Sequence, residues 1–378
     1  MRFFKITYII KAVKKVMGKP RLKPKYFTQG VDGKMTFIEQ MKEKAKKDIK
    51  TIVLPEAEDI RTLQAAEEVK KEKYAKLILV GDKEKIESKA KENNIDIEGI
   101  KIVDPNTSEK YDEYVNMFYE LRKQKGMTIE KAKEVVKDPV YFGMLMLKDE
   151  NAEADGLVSG AIHATSDTLR PALQILKTKP GSKLASAFFV MVTPTEYGKD
   201  GVFVFGDCGM NENPNAEQLA EIAIASSESF RELVGGEPKV AMLSYSTYGS
   251  AHSELTEKVV EATRIAKEKA PNLILDGEMQ VDAAILPSVA EYKAKGTPVK
   301  GEANVLIFPD LNAGNIGYKL VERFGHAEAY GPLCQGIARP VNDLSRGCSS
   351  KDIAGVIAIT AVQAQDDCNS FQPQKGND

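Results

Sequence analysis

Two kinds of segment alternate along the chain from about residue 50. Short runs of consecutive apolar, often β-branched residues occur at 51–55 (TIVLP), 76–80 (KLILV), 100–103, 156–158, 185–192, 202–205, 240–243, 273–275 and 305–308. Between them lie stretches whose apolar residues return every three or four positions, with charges on the other side. These cover 58–73, 82–94, 109–124, 128–137, 140–147, 167–176, 216–233, 254–270 and 313–324, with a last one at about 350–365. The first pattern predicts strands and the second amphipathic helices. Their alternation predicts an α/β protein whose parallel sheet is covered on both faces. So many strands exceed one comfortable sheet, and Thr178-Lys-Pro-Gly181 is the clearest punctuation, so two α/β domains are expected.

Residues 1–34 do not continue this pattern. They mix Phe3, Phe4, Ile6, Ile9 and Ile10 with ten Lys and Arg and a single acid, Asp32. Lys5 interrupts the apolar stretch and no small-residue cleavage site follows, which argues against a secretory signal. A basic amphipathic membrane-surface segment is one reading. The plainer one is a disordered extension, or translation assigned from too early a start, because a well-patterned helix opens at Met35.

The overall charge of -2 hides an asymmetry: residues 1–34 carry +9, and the remainder holds 43 basic and 54 acidic groups, a net of -11. An acidic body argues against nucleic acid as the main partner. An anionic substrate would then need a few placed arginines, not a global field. The apolar runs are far shorter than the ~20 residues a membrane helix needs. Four cysteines (Cys208, Cys334, Cys348, Cys368) form no C-x-x-C pair and no zinc spacing, which fits a reducing compartment. With only three histidines, a His-rich metal site is not expected.

No G-x-x-x-x-G-K-[ST], no G-x-G-x-x-G after a first strand and no H-E-x-x-H occurs. That sets aside a nucleotide P-loop and weakens a nicotinamide dehydrogenase. In doubly wound sheets ligands sit beyond the carboxyl ends of the strands, and the unusual loops fall there. They are 158–170 (VSGAIHATSDTLR), 244–250 (SYSTYGS) and 309–315 (PDLNAGN). Small, hydroxylated and Gly residues ahead of a helix can offer N–H groups and a positive dipole end to an anion. Ser159, Ser246, Thr247, Gly249, Asn312 and Asn315 are the candidates. Ordinary turn chemistry and N-capping stand beside that reading.

The densest segment is 342–352 (NDLSRGCSSKD). Ser345, Arg346 and Gly347 fall in a loop and Ser349 opens a helix. Arg346 can clamp a phosphate with two parallel bonds, and Asp352 can take a proton. Ser349-x-x-Asp352 is also a capping-box pattern. The string around Ser345 half resembles a nucleophile elbow but lacks its first Gly, so a Ser-His hydrolase is a poor reading.

The strings LPEAEDIR at 54–61, VSGA at 158–161, SDTLRP at 166–171, VAMLSYST at 240–247, DGEMQVDAA at 276–284, FPDLNAGNI at 308–316 and NDLSRGC at 342–348 together resemble the phosphate acetyltransferase (phosphotransacetylase) family, in its short form without regulatory domains. The resemblance runs in order from about Met35 to Gln365. It implies interconversion of acetyl-CoA plus phosphate with acetyl phosphate plus CoA, in acetate and acetyl-CoA metabolism, with no metal or other cofactor. It implies two α/β/α sandwich domains with a cleft between them, like the isocitrate and isopropylmalate dehydrogenases. The first domain would be discontinuous, 35–178 plus 333–366; the second would be 179–332, and 367–378 a tail. A cytoplasmic homodimer with no nucleic-acid or membrane partner is implied as well. Ser345, Arg346 and Asp352 match the family's catalytic positions, and Arg61, Arg122 and Arg170 match arginines implicated in CoA binding. By pattern alone Arg61 would be a surface arginine inside an amphipathic helix, and Arg122 falls in a basic cluster with Lys123 and Lys125.

The residue types then suggest a mechanism. A free thiol is only a few per cent thiolate at neutral pH. Asp352 would take the CoA thiol proton, helped by a carboxyl pKa raised in the cleft. Ser345 would orient the sulfur or Asp352, and Arg346 would hold the phosphate. Alignment of two bound substrates would then suffice, with no covalent enzyme intermediate. Cys348 reads as a packed thiol. Phosphate butyryltransferase shares the family's fold and remains open. So do an isocitrate-type dehydrogenase using Asp276, Glu278 and Asp282 on a divalent metal, and a non-catalytic CoA- or phosphate-binding protein.

Overall fold

The computed structural model describes residues 35–367. The expectations for the extension at 1–34 and for the tail beyond 367 lie outside the described residues.

The first sheet has five strands, all parallel, in the order β11-β4-β1-β2-β3. They are β1 (Thr51–Leu54), β2 (Lys76–Val80), β3 (Lys101–Val103), β4 (Gly156–Ser159) and β11 (Val341–Asp343). β1 and β4 are buried along their whole length, as continuous apolar runs in a covered sheet should be. The helices of this half are α1 (Phe37–Ala45), α2 (Ile60–Glu72), α3 (Lys83–Glu92), α4 (Tyr111–Arg122), α5 (Ile129–Val135), α6 (Pro139–Lys148) and α7 (Thr165–Ile175). Asp59 and Asp82 cap α2 and α3, and Asp138 caps α6 ahead of Pro139.

The second sheet has six strands in the order β10-β5-β6-β9-β7-β8. They are β5 (Ser186–Val192), β6 (Val202–Gly206), β7 (Lys239–Leu243), β8 (Ile274–Met279), β9 (Val305–Ile307) and β10 (Glu328–Gln335). With them come α8 (Ala216–Leu233), α9 (Glu254–Lys269), the short α10 (Val281–Ile285) and α11 (Pro287–Lys293), and α12 (Leu311–Phe324). Capping boxes start α8 at Asn215 with Gln218 and α9 at Ser253 with Thr256.

This sheet corrects the expectation of parallel strands throughout. β10 pairs antiparallel with β5, and β5 antiparallel with β6. The apolar runs at 185–192 and 202–205 are the arms of a hairpin: Thr193 N–H donates to Gly201 O at 2.8 Å, and Gly201 has φ +86°. Apolar content alone does not tell a hairpin arm from a parallel strand. β10 and β11 were not predicted. β10 contains Gly331-Pro332 and its register shifts there. β11 is three residues long and owes its burial to its neighbours.

α13 (Ser350–Asp367) packs on α1, α2 and the strands of the first sheet, and also touches α8 and β10. The buried Tyr74 hydroxyl fixes it by donating to Ala354 O at 3.0 Å. Because β1, β4 and β11 are parallel, the loops that follow them, 55–59, 160–164 and 344–349, gather at one edge of the sheet. Among the described residues no helix is long and apolar enough to cross a membrane.

Candidate active site

The loop between β11 and α13 is pinned at both ends and open in the middle. Leu344 and Cys348 are buried, while Ser345, Arg346 and Gly347 are exposed. Ser345 Oγ accepts the Gly347 N–H at 3.4 Å. The Arg346 guanidinium has no ion pair among the described residues. The capping box forms: Asp352 Oδ2 accepts from Ser349 N–H at 2.8 Å and Ser349 O–H at 2.9 Å, and Ser349 Oγ accepts the Asp352 N–H at 3.2 Å. Asp352 is therefore fixed at the positive end of α13, three residues after the cap, with Oδ1 outside these bonds. Burial pushes the Cys348 thiol up to about 11, with Arg61 acting against it, so it packs as a neutral group.

Arg61 is not the free surface arginine that its helix pattern alone suggests. It stands in the first turn of α2 and all its guanidinium nitrogens are engaged. Nε and Nη2 hold Asp59 at 3.0 and 2.9 Å. Nη1 donates to Arg346 O at 2.9 Å and Cys348 O at 3.0 Å, and Nη2 to Ala161 O at 2.9 Å. The Arg61 bond holds the Asp59 carboxyl below its ordinary value despite burial. Arg61 thus clamps the ends of three strands together by way of their loops.

Two of the loops that looked like anion cradles, 158–170 and 244–250, contain carboxylates from the chain itself, and so does the turn at 207–211, which the sequence did not single out. Buried Glu56 accepts the N–H groups of Ala161 at 2.7 Å, Ile162 at 3.1 Å and His163 at 3.0 Å, and His163 Nδ1 lies 2.7 Å from the same side chain. Glu278 Oε1 accepts from Ser246 Oγ and Gly249 N–H, both at 2.8 Å. Thr247 Oγ1 accepts the Gln280 N–H at 2.9 Å. Asp207 accepts the N–H groups of Gly209, Met210 and Asn211 at 2.8–3.1 Å. Ser246, Thr247 and Gly249 therefore spend these groups internally. Asn315 Nδ2 reaches Cys208 O at 3.2 Å, and Asn312 is exposed on the first turn of α12.

Arg170 on α7 is exposed and Arg122 ends α4 half-buried. Both lie close enough to Tyr141 to oppose the rise that burial imposes on its hydroxyl. Neither has an ion pair among the described residues. Asp276, Glu278 and Asp282 are not a cluster: Asp276 pairs with Lys267 and Tyr248, Glu278 with Ser246, and Asp282 with Lys293. Among the described residues no group of three or more His, Cys, Asp or Glu is arranged to hold a metal.

The sequence reading missed Glu56, His163 and Asp343. Ser159 Oγ, Thr168 Oγ1 and Asp343 Oδ1 are buried without hydrogen-bond partners among the described residues. A signal did exist: Glu56 and Asp343 each follow directly on a buried strand or end one, where a charge is out of place unless a loop requires it.

Residues 36–361 match the family model described as phosphate acetyl/butaryl transferase. A phosphate acetyltransferase of Acetivibrio thermocellus is 63% identical over 332 residues, covering 88% of this chain and 99% of its own. One from Bacillus subtilis is 50% identical over 320 residues, covering 85% and 96%. The crystal structure of a phosphotransacetylase from Streptococcus pyogenes superposes with a TM-score of 0.83 at 42% identity, covering 88% of this chain and 100% of that one.

Proposed function

The chain belongs to the phosphate acetyl/butaryl transferase family, and we propose that it interconverts acetyl-CoA plus phosphate with acetyl phosphate plus CoA. The observation that carries the mechanism is the exposed Ser345-Arg346-Gly347 loop. It presents a guanidinium without an ion pair among the described residues, in the loop that leads to Asp352 at the positive end of α13. The CoA sulfur attacks the acetyl carbonyl of acetyl phosphate. The C–S bond forms, the bond from carbonyl carbon to phosphate oxygen breaks, and phosphate leaves. Asp352 takes the thiol proton through Oδ1, while Oδ2 stays in the capping box. Ser345 orients the sulfur, and Arg346 holds the phosphate and offsets charge developing on it. Arg170 and Arg122 serve the anionic groups of CoA. Alignment supplies the rest of the acceleration, with no covalent enzyme intermediate and no cofactor.

We further propose that the two sheets mark two domains with the reaction in the cleft between them. The working form would be a homodimer, supported by the exposed Ile316, Leu320 and Phe324 along one face of α12. A cytoplasmic location is supported by the buried free thiols Cys208, Cys334 and Cys348. The deciding measurement is the rate of CoA acylation with acetyl, propionyl and butyryl phosphate. Preference for the acetyl ester supports the reading, preference for butyryl transfers the chain to the other activity in the family's name, and no thiol consumption rejects turnover.

A further inference from the structure

The C-terminal ends of β4 and β11 hold polar groups that this reaction scheme does not use. Asp343 and Ser159 are register partners in the two parallel strands, so their side chains leave the sheet on the same face. Asp343 is 1% exposed. Its Oδ2 accepts the Thr165 hydroxyl at 2.6 Å, from the first turn of α7. Its Oδ1, with Ser159 Oγ and Thr168 Oγ1, is buried without a partner among the described residues. At Gly160, with φ +108°, a Cβ would meet Asp343 Oδ1 at 2.2 Å and the Leu344 backbone N at 2.5 Å, so the close approach of the 344 loop and its carboxyl requires a glycine there.

Burying a carboxylate with one oxygen unmatched is unfavourable. A position needing only shape would be served by an amide or an apolar residue. The placement gives a reason for the charge: Ser345 is two residues away and Arg346 three, while α7 carries Arg170. We propose that Asp343 is a positioning residue whose ionised carboxylate ties the Ser345–Arg346 loop to the first turn of α7, and that uptake of a solvent proton in acid weakens the tie from a charge-assisted to a neutral hydrogen bond. This deepens the acetyl-transfer reading and rests on it.

Burial pushes the Asp343 carboxyl up to about 6; the Thr165 bond and the nearby Thr168 hydroxyl and Leu344 N–H work against the rise, and the charge of Glu56 adds to it. Other groups that face Asp343 are few. From β1 comes Glu56, with His163 on it and Arg61 nearby. From β10 comes Cys334, a thiol driven up by burial and by Asp343 itself, and so neutral. α7 presents the hydroxyls of Thr165 and Thr168, while its Asp167 and Arg170 are exposed. The tie is thus at full strength at neutral pH and weakened as pH falls through about 6. The stability sign is opposite. A folded-state pKa above the ordinary carboxylate value means that this group favours the fold most in acid, and that the contribution is lost as pH rises through the folded value.

The test compares wild type with Asp343→Asn in steady-state kinetics across about pH 5–8, together with melting temperatures. The expected result is a fall of kcat/KM for phosphate on the order of 10–100-fold near neutral pH, an acid limb present in the wild type and missing from the variant, and a melting temperature no lower than wild type at neutral pH. Substrate ionisation is common to both proteins, so a limb that persists unchanged in Asp343→Asn overturns the proposal. So does a kcat/KM within about two-fold of wild type. If Asp343→Asn does not fold, the pair Thr165→Val and Thr165→Ser decides. Without the hydroxyl the limb should move to higher pH, and with the Ser hydroxyl it should stay; identical profiles for the pair overturn the proposal. A wild type without turnover would instead reject the acetyl-transfer reading.

Discussion

Loops 160–164 and 344–349 follow parallel strands of one sheet, are rich in small and hydroxylated residues, and lead into helices. In sequence both look ready for an anion. In the first, the Ala161, Ile162 and His163 N–H groups are satisfied by Glu56, 105 to 107 residues earlier in the chain. In the second, the acid at hand, Asp352, engages Ser349 and leaves Ser345 and the Arg346 guanidinium to solvent. The same local texture therefore marks a rigid wall in one place and a receptive surface in the other. What decides between them is whether the fold delivers a carboxylate of its own.

The strongest attack on this contrast is Asp352→Asn. The amide keeps the shape and much of the cap but accepts no proton. If Asp352 only caps α13, stability falls by roughly 1 kcal/mol or less and turnover survives. As general base, its loss should lower kcat on the order of 10²–10⁴-fold in both directions with little change in KM for CoA. Raising the pH should partly restore the variant, because more CoA is then thiolate unaided. Near-normal kcat at neutral pH would leave Ser345 and Arg346 as the remaining catalytic groups.

On the other side of the contrast, Glu56→Gln should act on stability. The amide nitrogen would face the Ala161 N–H that Oε2 now accepts at 2.7 Å, setting donor against donor. A loss of about 2 kcal/mol is expected by denaturant unfolding. Arg346→Gln, in the open loop, should leave unfolding within about 0.5 kcal/mol of wild type while abolishing most turnover. Equal effects on stability from the two changes would erase the distinction between the loops.

How much of this was legible depends on how far apart the partners lie. The runs TIVL at β1 and KLILV at β2, and the period of α8, are visible because their signal is contained within the element. β11 is not: Asn342 is buried only because its side chain meets Thr360 and Gln363 of α13, at 2.8 and 2.6 Å. In the site, the residue string around Ser345 and Arg346 was readable by resemblance. Glu56 as the filler of the 160–164 loop was not, since nothing near Ala161 announces a carboxylate a hundred residues away. For the same reason Arg61 could be placed on a motif but not recognised as a clamp.

Arg61→Lys sharpens that last point. A lysine keeps one positive charge but cannot reach Asp59, Ala161 O, Arg346 O and Cys348 O together. A clamp predicts a loss of about 1–2 kcal/mol in stability and a lower kcat. A direct contact to CoA predicts a raised KM for CoA with stability unchanged.

Arg170→Lys should give the smallest effect, and one confined to binding. Arg170 is exposed, ends no loop and has no ion pair among the described residues, so nothing in the fold leans on its guanidinium. Its melting temperature should match wild type. The lysine retains the charge and gives up the two-pronged geometry that suits a phosphate, which predicts a KM for CoA raised by about three- to ten-fold with kcat little changed. The effect should shrink as salt rises, because an exposed contact between charges is screened over a Debye length of about 10 Å at 0.1 M. A KM for CoA that does not move would take Arg170 out of the site. The contrast between filled and open loops would then rest on the Ser345–Arg346 segment alone.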